Sequence, residues 1–236
     1  MGKLKPHFHR WLHRLKVKRL IRGWSLPLLL AVLLLFGVHA RVKADPAPSS
    51  AELQVYLQSH TLNVYEQVAN GYPQVFYLYN HQEVQLTSTD YIHLHPISDG
   101  QYVAWVGIID GQTQVFEYDV LAQTLIQLSI VSPNEGLNMY HNQLVWQGWD
   151  GANWQIFYYD GTQIQQITSD NTPSERPKLN GQKIVYAELV NTDDWKAQEY
   201  DIASQQTTTL REGDTSSTAY PNFQPDGTIT TAYVPQ

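Results

Sequence analysis

The chain of 236 residues has no cysteine. This excludes disulfides, thiolate metal centres, thiol nucleophiles and cysteine-linked lipid anchors, and leaves packing alone to hold the fold. Positive charge is nearly missing beyond Ala44: only five of the 15 Lys and Arg lie there, against all 22 Asp and Glu, so residues 45–236 carry a formal charge of −17. A body of that sign repels phosphates and excludes nucleic acid as a partner. A long hydrophobic run is also lacking, since Leu26–Ala40 (LPLLLAVLLLFGVHA) extends over 15 residues and a membrane-crossing helix needs roughly 20. No G-x-S-x-G elbow, phosphate-binding glycine loop or H-E-x-x-H motif occurs, so familiar hydrolase and nucleotide chemistries have no support and no cofactor or metal is expected.

What basic charge exists is concentrated at the start. Eight Lys and Arg precede Gly23, and Arg41 and Lys43 follow the apolar run. Basic residues directly before an apolar stretch are a topology signal, so residues 1–44 read as a basic n-region followed by a signal peptide or signal anchor. Val42-Lys43-Ala44 offers cleavage before Asp45, and Val38-His39-Ala40 offers a second site. The long n-region, the flanking charges and Trp24 at the interface fit an uncleaved anchor, in which residues 24–40 hold the chain to the membrane. Either outcome places the following domain outside the cytoplasm, as a periplasmic, secreted or outward-facing anchored protein. Residues 45–51, beginning DPAPSS, read as a linker, and residues 52–236 as the exported domain.

That domain repeats itself about every 40 residues. Val145–Asp160 (VWQGWDGANWQIFYYD) returns as VAWVGIIDGQTQVFEYD from Val103, VYEQVANGYPQVFYLYN from Val64 and, more diverged, VYAELVNTDDWKAQEYD from Val185. Each copy reads as four strands. The first is introduced by a Pro or polar turn and runs to a Gly or Asn turn (PISDGQ, PKLNGQ, FQPDGT, and YHNQ in a weaker copy), where positive φ closes a hairpin. The second ends on Tyr65, Trp105, Trp146, Tyr186 or Tyr233, and the third carries QVFY, QVFEY or QIFYY. Asp119, Asp160 and Asp201 close the next turn through Asx bonds, and the fourth strand reads VQLT, IQLS, QQIT or TTTL. A lone four-stranded sheet cannot bury both faces, whereas radial stacking of such sheets can, so the spacing points to a β-propeller, with a β-sandwich as the alternative. The first two strands are counted five times and the last two four times, which predicts four full blades and an incomplete fifth at Tyr220–Val234. An incomplete blade could be completed by another subunit, including a second copy of the chain.

The succession of Pro, a DG or NG turn, an apolar strand ending in Trp or Tyr, a DG loop, (I/V)F-x-YD and (Q/L)(L/I)T resembles the TolB-like, WD-like propeller repeats of exported bacterial envelope proteins. The resemblance covers residues 52–234, with Gln224-Pro225-Asp226-Gly227 nearest to the signature turn of that family. It implies an extracytoplasmic propeller.

In an antiparallel blade the loop between strands two and three shares a side with the inter-blade loops. That side collects Asp110, Trp149, Asp150, Trp154, Asp193, Asp194 and Trp195, with Asp90, Asp170, Glu175, Glu212 and Asp214 between blades. The in-register aromatics are expected in the core. Trp149, Trp154 and Trp195 break the register and flank polar loops, so with Asp150, Asp193 and Asp194 they form the candidate ligand-binding set. His93 and His95 alternate on one strand and should face one side, a geometry open to metal, but no third ligand is evident. The expected function is a non-catalytic protein- or glycan-binding module of the cell envelope. The alternatives are a polysaccharide- or peptide-processing enzyme using carboxylates such as Asp150 and Asp193, and an assembly module completed by another subunit.

Overall fold

The computed structural model describes residues 48–129, 132–191, 194–212 and 217–235. The expected signal or anchor segment, residues 1–44, lies outside them. Among the described residues no helix is long and apolar enough to cross a membrane.

The repeat folds as antiparallel sheets in chain order. The first sheet holds β1 (Asn63–Ala69), β2 (Tyr72–Tyr79) and β3 (Gln82–Gln85). The second holds β4 (Ile92–Ser98), β5 (Tyr102–Ile109), β6 (Gln112–Asp119) and β7 (Thr124–Gln127). The third holds β8 (Asn134–Tyr140), β9 (Gln143–Trp149), β10 (Trp154–Tyr159) and β11 (Ile164–Gln166). In the fourth are β12 (Ser174–Leu179), β13 (Lys183–Asn191), β14 (Asp194–Asp201) and β15 (Gln206–Arg211), and the last pairs β16 (Ser217–Phe223) with β17 (Ile229–Pro235). The architecture is all-β, with up-and-down blades as in a β-propeller.

One expected strand is a helix. Among the described residues the second strand occurs five times and the first only four, because residues 50–57 form α1 (Ser50–Leu57). The first sheet is therefore three-stranded and does not pair β16 or β17 with residues 52–57. The reason is local: the Ser49 hydroxyl accepts from the Glu52 N–H while the Glu52 carboxylate accepts from the Ser49 N–H, a reciprocal capping box. Leu53, 1% exposed, anchors the helix among Val75, Tyr77 and Val103. The Ser50 hydroxyl donates to the Leu121 carbonyl at 2.7 Å.

Each full sheet is buried on both faces, which is why strands such as YVAWVGII are nearly continuous apolar runs. Side chains alternate, so Leu144 and Trp146 pack with Ala104 and Val115 of the second sheet while Val145 packs with Leu179 and Ile184 of the fourth. Across each of the first three sheets the second-strand aromatic stacks on a third-strand Phe: Tyr65 on Phe76, Trp105 on Phe116 and Trp146 on Phe157, with centroids 5.9, 5.9 and 5.8 Å apart. Burying each Phe contributes about 1.5–3 kcal/mol. The ring takes the room a glycine leaves: a Cβ on Gly107 would meet Phe116 Cε2 at 2.7 Å, and one on Gly148 would meet Phe157 at 3.0 Å.

The fourth strand is held by a polar latch. The N–H groups of Val75, Val115 and Ile156 donate to the hydroxyls of Thr87, Ser129 and Thr168 at 2.8, 2.7 and 2.8 Å. Gln85, Gln127 and Gln166 each donate to the carbonyl of the same Thr or Ser. The terminal T or S of VQLT, IQLS and QQIT is thus a latch residue. Asp119, Asp160 and Asp201 close their turns as expected, accepting from the N–H groups of Leu121, Thr162 and Ser204 at 2.8, 2.7 and 2.8 Å.

The prolines of the first strand sit inside it instead of before it. The pairing slips between Leu94 and Ile97 and between Glu175 and Lys178, and the residue before each Pro, His95 or Arg176, has φ near +55°. These are β-bulges. The bulge N–H groups reach back to the preceding sheet, His95 donating to Glu66 Oε2 at 3.2 Å and Arg176 to Gln147 Oε1 at 2.7 Å. The Arg176 guanidinium also lies 3.8 Å from the centre of the Tyr220 ring in β16, which joins the half sheet to the fourth.

Candidate binding face

The bulge corrects the histidine pair. His93 is buried, packed at a tilt against Tyr91 and edge-on to Trp105, with Nε2 at 2.7 Å from Thr89 Oγ1, whereas His95 is exposed. The inserted residue breaks the two-residue alternation, so the two rings do not share a side. Burial pushes the His93 pKa down to about 4, and among the described residues no group of three His, Asp or Glu is placed to hold a metal.

On the side carrying the β1–β2, β5–β6, β9–β10 and β13–β14 hairpins, the most developed tip is the third. Trp149 and Trp154 face each other across β9 and β10, with ring centroids 6.0 Å apart and planes at 83°. Both rings are half-buried. The in-register aromatics differ: Trp105, Trp146 and Tyr186 are 0, 1 and 3% exposed. An edge-to-face pair at a hairpin tip keeps part of each indole open to a ligand while fixing its orientation.

Asp150 holds the turn beneath them. Its Oδ1 accepts from the N–H groups of Ala152 and Asn153 at 2.8 and 2.9 Å, and these bonds hold the carboxyl below the usual range. In the fourth sheet the equivalent tip places Asp194 opposite Asn191 and Trp195 opposite Leu189. Both are half-buried, and Asp194 Oδ1 is buried with no hydrogen-bond partner among the described residues. Asp193 and Asp214 lie outside the described residues. The candidate set therefore falls on two equivalent hairpins of neighbouring sheets: Trp149, Asp150 and Trp154 on one, Asp194 and Trp195 on the other.

Asp90 and Asp110 border a hollow of about 360 Å³ between the first two sheets, lined also by Tyr72, Tyr91, Ile92 and Ile108. Glu175 is half-buried and its carboxyl is raised, chiefly by desolvation. Elsewhere, sequence reasoning passed over two buried carboxyls of the second sheet. Glu117 is pushed up to about 7 and Asp99 to about 6, each by burial first.

These blades and their hairpin-bearing side define a β-propeller, a fold shared with TolB. The fold matches a protein assigned as TolB from Agrobacterium tumefaciens with a TM-score of 0.50 at 19% identity, over 75% of this chain and 72% of that one. It also matches an oligogalacturonate lyase from Vibrio parahaemolyticus with a TM-score of 0.51 at 15% identity, over 75% of this chain and 54% of that one. The chain spans about half the length of the lyase. No protein-family model matches the chain, and no curated protein matches it in sequence. At these identities the likeness is one of fold, and the same fold carries both a TolB and a lyase.

Proposed function

We propose that the chain is a non-catalytic, extracytoplasmic binding module that recognises an envelope protein or glycan through the tips of its β9–β10 and β13–β14 hairpins. The half-open Trp149–Trp154 pair carries the reading, because it departs from the in-register tryptophans Trp105 and Trp146, which are sealed between sheets. Trp149, Trp154 and Trp195 are the anchors, and Asp194 with the general negative charge steers a polar or cationic partner. Residues 24–40 hold the module to the membrane if the signal remains uncleaved. The use of Asp150 in its turn favours binding over catalysis: a carboxyl that accepts two backbone N–H groups and is held acidic is a poor proton donor.

Comparing the full chain with Trp154→Ala for retention on fractionated envelope protein and on envelope glycan tests this. The substitution should weaken binding by about 2 kcal/mol, roughly 30-fold, with the unfolding midpoint little changed. Equal retention of both proteins on every fraction would remove the reading.

The two-stranded last sheet favours a second reading. Among the described residues β16 and β17 pair only with each other, so a last blade of two strands completed by another subunit would make the chain an assembly module. A concentration-independent monomeric mass in solution would rule it out.

A further inference from the structure

The fourth copy departs from the repeat in one patch. Where the first three sheets stack Phe76, Phe116 and Phe157 on the second-strand aromatic, the fourth sets Gln198 opposite Tyr186. Where Gly107 and Gly148 make room for the ring, the fourth has Glu188. Lys196 replaces Gln74, Gln114 and Gln155 of the third strand, and Thr209 replaces Gln85, Gln127 and Gln166 of the fourth. All four substituted side chains point the same way, toward the third sheet.

They do not refill the space. A groove of about 500 Å³, open to solvent, lies between the third and fourth sheets, lined by Tyr186, Glu188, Lys196, Gln198, Thr207 and Thr209 and bordered by residues 167–170 of the third sheet. The lining is internally ordered. Gln198 Nε2 donates to Glu188 Oε2 at 2.7 Å and Lys196 Nζ lies 3.0 Å from Glu188 Oε1. Gln198 is 5% exposed, yet its Oε1 has no hydrogen-bond partner among the described residues. A buried acceptor without a donor costs about 1–3 kcal/mol, and this one stands in a groove large enough for a small molecule.

We propose that this inter-blade groove binds a small neutral polyol of monosaccharide size, separately from the tryptophan-bearing hairpins. Gln198 Oε1 and the Asp170 carboxylate at the rim call for ligand hydroxyl donors. Thr209 and Lys196 supply donors in return, the Thr207 hydroxyl being bonded to Tyr186. An apolar ligand would strand these groups. An anion would meet Glu188 and Asp170, which outnumber Lys196, and a cation would compete with Lys196 for Glu188.

The test uses the full chain and ligand-observed saturation-transfer NMR with glucose, glucosamine and gluconate at millimolar concentration. Glucose should give transfer signals stronger than those of gluconate, and Trp154→Ala should leave them unchanged. That separates this site from the hairpin face. The double variant Glu188→Gly with Gln198→Phe restores the repeat's own packing pair and should abolish the glucose signals while raising the unfolding midpoint. Should that variant fold poorly, Gln198→Leu, which keeps the side-chain bulk and removes the acceptor, should weaken glucose binding about tenfold. No signal from glucose, equal signals in the wild type and the folded double variant, undiminished binding in Gln198→Leu, or preference for either charged sugar would overturn the proposal.

Discussion

The seam between the second and third sheets and the seam between the third and fourth share one topology but are filled differently. At the first, Trp146 stacks on Phe157 over the space left by Gly148, and Ala104, Val115 and Leu128 close the rest. At the second, Tyr186 faces Gln198 and Glu188, and a polar groove remains. Exchanging a Gly–Phe pair for Glu–Gln changes a packed joint into an open groove without altering the order of the strands. The difference shows that propeller register is set by backbone pairing and by the apolar residues nearest the turns. The middle of a seam is then free to vary.

Three substitutions probe how far this holds. Emptying a packed seam should cost most: Phe116→Ala removes a buried ring from the stack on Trp105 and should destabilise the domain by about 3–5 kcal/mol in urea unfolding. A loss below 1 kcal/mol would mean that the packed and open seams are energetically alike.

The latch should come next. Thr168→Val leaves the buried Ile156 N–H without its acceptor and should cost about 1–3 kcal/mol in urea unfolding. An unchanged unfolding midpoint would show that the latch adds nothing to the ladder.

The smallest effect concerns the one charged end of the apolar seam. Glu117 is 4% exposed and its Oε2 has no partner. Its folded pKa of about 7 lies above its ordinary value of 4.5, chiefly through desolvation, with Asp99 and Asp119 adding to the rise. The folded state therefore holds the proton more tightly, and stability present below pH 4.5 is lost as pH rises toward 7. Glu117→Gln should stabilise the protein by about 1 kcal/mol at pH 8 and by little at pH 4. A pH-independent difference in unfolding free energy would show that the carboxyl is already solvated in the folded state.

Much of this was legible before the structure. The spacing of Tyr65, Trp105, Trp146 and Tyr186 identifies the sheets, and three of the four are sealed, because both depend on an alternation that sequence displays; Tyr65, in the sheet that lacks its first strand, stays half-buried. The misreadings came where one residue outweighs the pattern. Ser49 and Glu52 start a helix that the repeat count treats as a strand, though the S-x-x-E signal was there to read. His95 takes a left-handed conformation before Pro96, and the resulting bulge turns it away from His93. Glu188 and Gln198 look like simple divergence in sequence. Their meaning depends on sharing one face across β13 and β14, which only the register reveals. For the binding face, the tryptophans were legible as exceptions, but the edge-to-face packing of Trp149 and Trp154 required the hairpin.

The latch and the backbone ladder stand in for each other. In the first three sheets the fourth strand is tied through a side-chain hydroxyl to an N–H that the ladder would otherwise leave over. In the fourth sheet Arg211 stands at the Thr or Ser position and the ladder slips between Ala197 and Gln198. There β15 makes the longest ladder of the four outer strands, five residue pairs against four, four and three, so that backbone pairing takes over in the fourth sheet what a side-chain hydroxyl does in the other three.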